Sequence, residues 1–330
     1  MDTKTSLATR HLSKLHFVVE FTIFTKYSYS YFDLLLRAKD NNLICVGINC
    51  QAPLFNSEIF DYFIRPIPFL IFLIYWSYRP QLKMCWFSTI PGLVGGVLFL
   101  IGIITNAPTA LPRFLVATLY VPLLLLFFRK LFIRRYFFSA SIIVALFLIF
   151  PFLDNFRYYY SPDFQLSINF DFLNAGHFDS YQNFVRVVSI GLVTYGDQLL
   201  GVILFWFPRS YWPGKPEGSG FLLAHLENLS LDNISFPYIA EGYVNFGILG
   251  VSIFCILLGF VVSRIDYVFW SKNQFDSRSF FFIPYLLSIG LLFMILRGNL
   301  LSSFAYTVGV LSSYYFSFRI VHFILRRRFR

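Results

Sequence analysis

FWFPRSYWPGKPEGSG at 205–220 and AEGYVNFGILG at 240–250 decide how this chain is read. They set Arg209, Lys215, Glu217 and Glu241 between segments whose composition is otherwise that of membrane. In the first stretch Pro208, Pro213 and Pro216 alternate with Gly214, Gly218 and Gly220. That pattern excludes a continuous helix, because proline lacks the backbone donor and clashes with the preceding turn. Tyr211 and Trp212 suit a membrane–water interface, where rings with a polar edge concentrate. The loop is therefore expected to hold Arg209 and Lys215 near headgroup level with their charges available. An arginine fork matches phosphate oxygens two at a time and a nearby lysine adds a point charge, so a pyrophosphate lies within its repertoire. The plainer alternative is a basic loop touching anionic lipid, although such contacts normally use more basic residues than two.

In the second stretch Glu241 and Asn245 are four residues apart and share a helical face, while Gly247 and Gly250 allow close approach of another backbone. A carboxylate just above a span serves either as a general base or as the counter-ion of Arg209 or Arg297. The residue types leave both open.

Around these stretches the chain has 330 residues, 57% hydrophobic, 21% aromatic and 13% charged. Soluble domains carry about 25% charged residues, so the deficit points to lipid as the main solvent. Net charge is +10, but the basic residues cluster beside apolar runs, which argues against a nucleic-acid partner. Cys45, Cys50, Cys85 and Cys255 form no metal-spaced cluster. Apolar spans are expected at 64–79, 86–105, 111–128, 136–152, 243–263, 279–296 and 300–323. Residues 1–60 are less legible: HFVVEFTIF is short and broken by Glu20, so that an interfacial helix or an atypical start is expected and no cleavable leader is visible.

Orientation follows from lysine and arginine in the short connections, which mark the cytoplasmic side. Arg79 and Lys83, Arg129, Lys130, Arg134 and Arg135, Arg264, Lys272 and Arg278, and Arg326, Arg327, Arg328 and Arg330 fall at alternate ends of the spans. Residues 153–242 hold nine acidic groups against four basic ones and are expected outside, with the C-terminus inside. Tyr181 to Phe207 then has both flanks outside. It is expected to form one or two shallow interfacial helices, or else two further short spans. The fold expected is an all-α polytopic membrane protein of seven to nine transmembrane helices, one membrane domain over 61–330 with an external loop region at 153–242.

Further polar groups fall on the same outer side. Asn106 begins NAPTALPRF, whose Arg113 either snorkels to headgroups or binds a ligand. Asp154 and Arg157 follow a span exit and are able to pair with each other. In GHFDSYQ, His177 and Asp179 make an acid/base pair or serve structure. Arg297, in LRGNL, ends one span where Gly298 and Asn299 turn into the next. No Asp-x-Asp pair, phosphate-loop, nucleophile-elbow or H-E-x-x-H motif occurs, which disfavours nucleotide-driven transport and metal hydrolysis.

NAPTALPRF, the FP-x-x-D-x-F-R exit, GHFDSYQ, PRSYWP-x-KP, EGYVNFG and the late RG pair, in this order from Asn106 to Arg297, resemble the Wzy-type polymerases of O-antigen and capsule polysaccharide. The resemblance implies a glycosyltransferase on the outer face of the bacterial inner membrane. It implies that a growing glycan leaves an undecaprenyl-pyrophosphate carrier and joins the sugar of an incoming lipid-linked repeat unit. It implies membrane lipid around the chain and a chain-length regulator and a flippase as pathway partners; no cofactor is expected, and no metal either, because the outward acidic groups show no ligand spacing. On this reading Glu241, with Asp179 second, takes the acceptor proton and Arg209 stabilises the leaving group. Arg113, Arg157, His177, Lys215, Tyr243, Asn245 and Arg297 contact substrate. A lipid-linked oligosaccharide ligase, or a flippase, is the alternative. The scarcity of mid-span charge favours an enzyme over a transporter.

Overall fold

The computed structural model describes residues 60–78, 90–111, 113–128, 136–149, 152, 179–229, 234–271 and 279–329, and every regular element among them is helical. After a π-helical turn at Phe60–Ile64 come α1 (Ile67–Ser77), α2 (Ile90–Thr105), α3 (Arg113–Phe127) and α4 (Phe137–Val144), the last extended by a π turn at Ala145–Ile149. Then follow α5 (Ser180–Ser189), α6 (Asp197–Ile203), α7 (Ser219–Leu226), α8 (Tyr238–Ser271), α9 (Phe282–Arg297) and α10 (Leu300–Phe329). The expected N-terminal segment lies outside the described residues up to 59, as do 153–178 of the external region.

Each expected span carries a helix at its place. Their lengths alter the count. Among the described residues α8, with 34 residues, is long and apolar enough to cross a membrane by length and composition. The stretches Tyr62–Ser77, Pro91–Thr105, Phe114–Phe127 and Phe282–Arg297 are shorter apolar helices. At about 1.5 Å per residue a helix the length of α2 reaches roughly 24 Å, short of a hydrocarbon core of about 30 Å. Among the described residues, one clear candidate and these shorter helices stand where seven to nine crossings were expected.

Packing divides the chain into two units, Met1–Ile168 with Phe275–Leu287 and Gly309–Arg330, and Asn169–Gln274 with Ser288–Val308. In the first unit α1 is apolar on every side and buried on every side, from Phe69 to Trp76. Gly102 of α2 lets the α1 backbone approach, since a Cβ there would lie 3.2 Å from the Cα of Phe69. Rings of Phe72, Trp76, Phe99 and Phe127 bind α1, α2 and α3 together. Beyond the other end of that cluster Arg65 Nε donates to the Thr105 carbonyl (3.1 Å), Asn106 Nδ2 to the Arg65 carbonyl (3.0 Å) and the Tyr120 hydroxyl to the Asn106 carbonyl (2.7 Å). The turn that begins NAPTALPRF is therefore tied to both neighbouring helices.

In the second unit the stretch expected to hold shallow helices forms α5 and α6, of 10 and 7 residues. At about 15 and 10 Å they are too short to cross. α5 buries Asn183 and Val187 and exposes Tyr181, Val185 and Val188. The asparagine turns inward because its Nδ2 donates to the Ser235 carbonyl at 2.7 Å. Gly191, at φ 63°, ends α5 in a Schellman cap, with Leu192 N–H donating to the Val187 carbonyl and Gly191 N–H to that of Val188. The core beneath joins Val187, Leu223, Ala224, Ile234, Phe236, Ala240 and Val244.

Candidate functional site

α8 is two helices joined at a break. Phe246 (φ −142°, ψ 21°) and Gly247 (φ 64°, ψ −150°) leave helical geometry, and Gly247 adopts a backbone region open essentially to glycine alone. In an unbroken helix the Val244 carbonyl would accept from the amide four residues on. Here it accepts from Thr194 N–H (2.7 Å) and Thr194 Oγ1 (3.1 Å) instead. The break is thus satisfied by a loop fifty residues upstream, and it folds the two halves together. A Cβ at Gly250 would lie 2.0 Å from the Gly242 carbonyl oxygen.

The short half, Tyr238–Asn245, carries two buried acceptors on one face. Glu241 is 1% exposed; its Oε2 accepts from Ser219 Oγ (2.7 Å) and its Oε1 from Leu300 N–H (2.8 Å). Ser219 opens α7 and Leu300 opens α10, so the carboxylate sits at two helix N-termini, where negative charge is favoured. One turn on, Asn245 Oδ1 accepts from Leu199 N–H (2.8 Å) in the first turn of α6, while its Nδ2 donates to the Glu241 carbonyl (2.8 Å).

Between α6 and α7 the proline-rich loop closes on itself. Arg209 Nη1 donates to the Lys215 carbonyl (2.8 Å) and Nη2 to that of Pro216 (3.4 Å), and Nη1 lies 3.9 Å from Glu217 Oε1. The Arg209 side chain is 49% exposed, and these two bonds leave three of a guanidinium's five N–H groups for another partner. Lys215 departs from its expected place. It is 8% exposed, and its ammonium donates to the carbonyls of Phe205 (2.6 Å) and Phe207 (3.0 Å), just beyond the end of α6. Burial drew it inward because those carbonyls, which no helix continues to satisfy, need a donor. Trp206 and Tyr211 stay exposed beside Arg209. At the loop's far end Gly218 packs so closely that a Cβ would lie 1.6 Å from Asn299 Nδ2. Asn299 Oδ1 in turn accepts from Leu301 N–H (2.9 Å).

The other expected residues fall as follows. Arg297 is the last residue of α9, directly before the Gly298–Asn299 turn. Asp179, at the start of α5, accepts from Asn183 Nδ2 (3.1 Å) and from Ser235 Oγ. Tyr243 is half-buried and meets the Phe184 ring edge-on at 6.5 Å. Arg113 opens α3 in the first unit, and Arg157 and His177 lie outside the described residues. Ser219, Ser235 and Thr194 went unnoticed in the sequence. A serine opening a helix after Gly218 is a recognisable capping signal, but nothing in its spacing links Ser219 to Glu241. Among the described residues no three His, Cys, Asp or Glu side chains gather to hold a metal ion.

Residues 234–327 match the family model of O-antigen polysaccharide polymerase Wzy. The Wzy match takes in α8, α9 and most of α10, and with them Glu241, Tyr243, Asn245 and Arg297. The loop carrying Arg209 and Lys215 lies upstream of it. No curated protein and no solved structure matches the chain.

Proposed function

We propose that this chain polymerises undecaprenyl-pyrophosphate-linked oligosaccharide repeat units at the outer face of the bacterial inner membrane. The observation that carries the reading is the Wzy match over 234–327, which supports an O-antigen polymerase role in general. The clustering of Arg209, Glu217 and the Gly218–Asn299 contact next to the matched helices supports it further. In this reading the four shorter apolar helices, α4 with its π turn and α10 cross the bilayer with α8, giving seven spans, and a flippase and a chain-length regulator work alongside.

The reaction forms a bond from an acceptor hydroxyl oxygen to the anomeric carbon of the donor glycan and breaks that carbon's bond to the pyrophosphate oxygen. The carrier leaves as a pyrophosphate, and cations placed where that charge appears lower the barrier. Arg209 holds the leaving pyrophosphate through its remaining N–H groups, with Arg297 adding charge. Lys215 keeps the loop folded from within. Of the two carboxylates put forward as base, Asp179 is half-buried and Glu241 fully buried, so the acceptor proton passes to Asp179.

In a strain lacking the gene and carrying it on a plasmid, surface polysaccharide should run as a ladder of repeat units. Without the plasmid it should stop at one repeat. A ladder in the deletion strain, or loss even of the single repeat, would point away from a polymerase and, in the second case, toward a ligase. For the orientation, Ser210→Cys in a background free of native cysteines should react with a membrane-impermeant thiol reagent in intact cells and Ser271→Cys should not. Labelling of Ser271→Cys would reverse the topology.

A further inference from the structure

Three features of the second unit meet in the short half of α8. Glu241 reaches forward to the first residue of α7 and across to the first residue of α10. Asn245, on the same face, holds the first turn of α6. α6 leads into the Arg209 loop and α7 leads out of it, while α10 begins three residues after Arg297. The two side chains thus grip the helices on both sides of that loop, and one of them also fixes the end of the Arg297 turn. Thr194, bonded to the Val244 carbonyl, sets where the half-helix stops, and Gly242 against Gly250 sets its angle to the rest of α8.

We propose that Glu241 and Asn245 are positioning residues, a pair of internal helix caps through which the half-helix holds the Arg209 loop and the Arg297 turn in one arrangement. Glu241 touches neither donor nor acceptor. Both of its oxygens are engaged by protein donors, and the side chain is buried. What it requires is an acceptor atom at Oε1 for the Leu300 amide and a polar partner for Ser219, and a glutamine supplies both: the amide oxygen accepts from Leu300, and the amide nitrogen donates to the Ser219 hydroxyl. A general base has no such substitute, because an amide cannot take a proton at neutral pH. The glutamine exchange therefore separates a group that acts by charge transfer from one that acts by geometry.

The inference rests on the polymerase reading for its activity arm, but its structural arm stands alone. Purified membranes given lipid-linked repeat units should polymerise with Glu241→Gln at a rate within about threefold of the parent, since a charge-assisted bond is only about twice as strong as a neutral one. Glu241→Ala should lose roughly a hundredfold, the scale of a misplacement of about 1 Å in a catalytic group. In parallel, trypsin cleavage after Arg209 reads the loop directly. It should be about tenfold faster in Glu241→Ala and in Asn245→Ala, because the loop's anchors open locally, and unchanged in Glu241→Gln. If Glu241→Ala does not accumulate, Asn245→Ala and Ser219→Ala carry both arms, with the same direction of change. Glu241→Gln as inactive as Glu241→Ala at normal abundance would overturn the proposal, as would loss of activity in the alanine variants with cleavage after Arg209 unaltered. A parent protein that makes no polymer while the cleavage pattern holds would refute the polymerase reading and leave the positioning role standing.

Discussion

Arg209→Lys is expected to abolish chain extension nearly as completely as Arg209→Ala. The guanidinium donates through Nη1 and Nη2 to two loop carbonyls at once, and its remaining N–H groups present a planar fork on a half-exposed side chain. Lysine keeps the charge and loses the fork, so it cannot reproduce paired bonds to phosphate oxygens. Loss of one charge-assisted contact made mainly in the transition state costs about 3 kcal/mol, or roughly a hundredfold in rate. Cells should then show single or very short repeats with the variant at normal abundance in the membrane. Were Arg209 only a clasp for the loop, a lysine ammonium would still reach a carbonyl and glycan length would stay normal. Normal ladders from Arg209→Lys would remove the pyrophosphate role, and reduced abundance of the protein would show that the clasp dominates.

Gly250→Ala should damage the protein itself. The added Cβ would lie 2.0 Å from the Gly242 carbonyl oxygen and 2.9 Å from both the Gly242 carbonyl carbon and the Phe246 Cβ. Two of these three are backbone atoms, so no rotamer change relieves the clash and the half-helix must swing. Overpacking of this kind typically costs about 1–3 kcal/mol and more where backbone resists. Since Glu241 and Asn245 ride on that half-helix, their caps on α6, α7 and α10 should fail with it. Thermal unfolding in detergent should shift down by several degrees, and membrane abundance should fall. Gly259→Ala, where nothing lies within 4 Å of the added carbon, is the control and should match the parent. Equal melting of Gly250→Ala and parent would show that the two halves of α8 do not meet.

The positions of the helices were legible because apolar runs bounded by charge are a strong local signal. Their lengths were not, since backbone geometry changes within one apolar run in ways a window of hydropathy blurs: 136–152 loses α-helical geometry after Val144 and goes on as a π turn. Gly247 was expected to admit another backbone, but nothing lies within 4 Å of a Cβ placed there, and it is its positive φ that matters. That it breaks α8 was not legible, because the donor that satisfies the freed carbonyl is Thr194, distant in sequence. Lys215 misled for the opposite reason. A lysine in a proline-rich loop ordinarily points to water, and only the fold shows the carbonyls of Phe205 and Phe207 turned inward to receive it. The helical face shared by Glu241 and Asn245 was read correctly, but what that face meets, the first turns of α6, α7 and α10, belongs to tertiary structure.

On the proposed polymerase reading, this chain itself joins lipid-linked repeat units into polymer. Purified protein reconstituted in liposomes with undecaprenyl-pyrophosphate-linked repeat units, with a chelator present, should produce a ladder of lengthening glycans on a gel. One undecaprenyl pyrophosphate should be released per bond formed. Repeat units left intact under those conditions, or release of pyrophosphate carrier with no glycan longer than one repeat, would contradict the account.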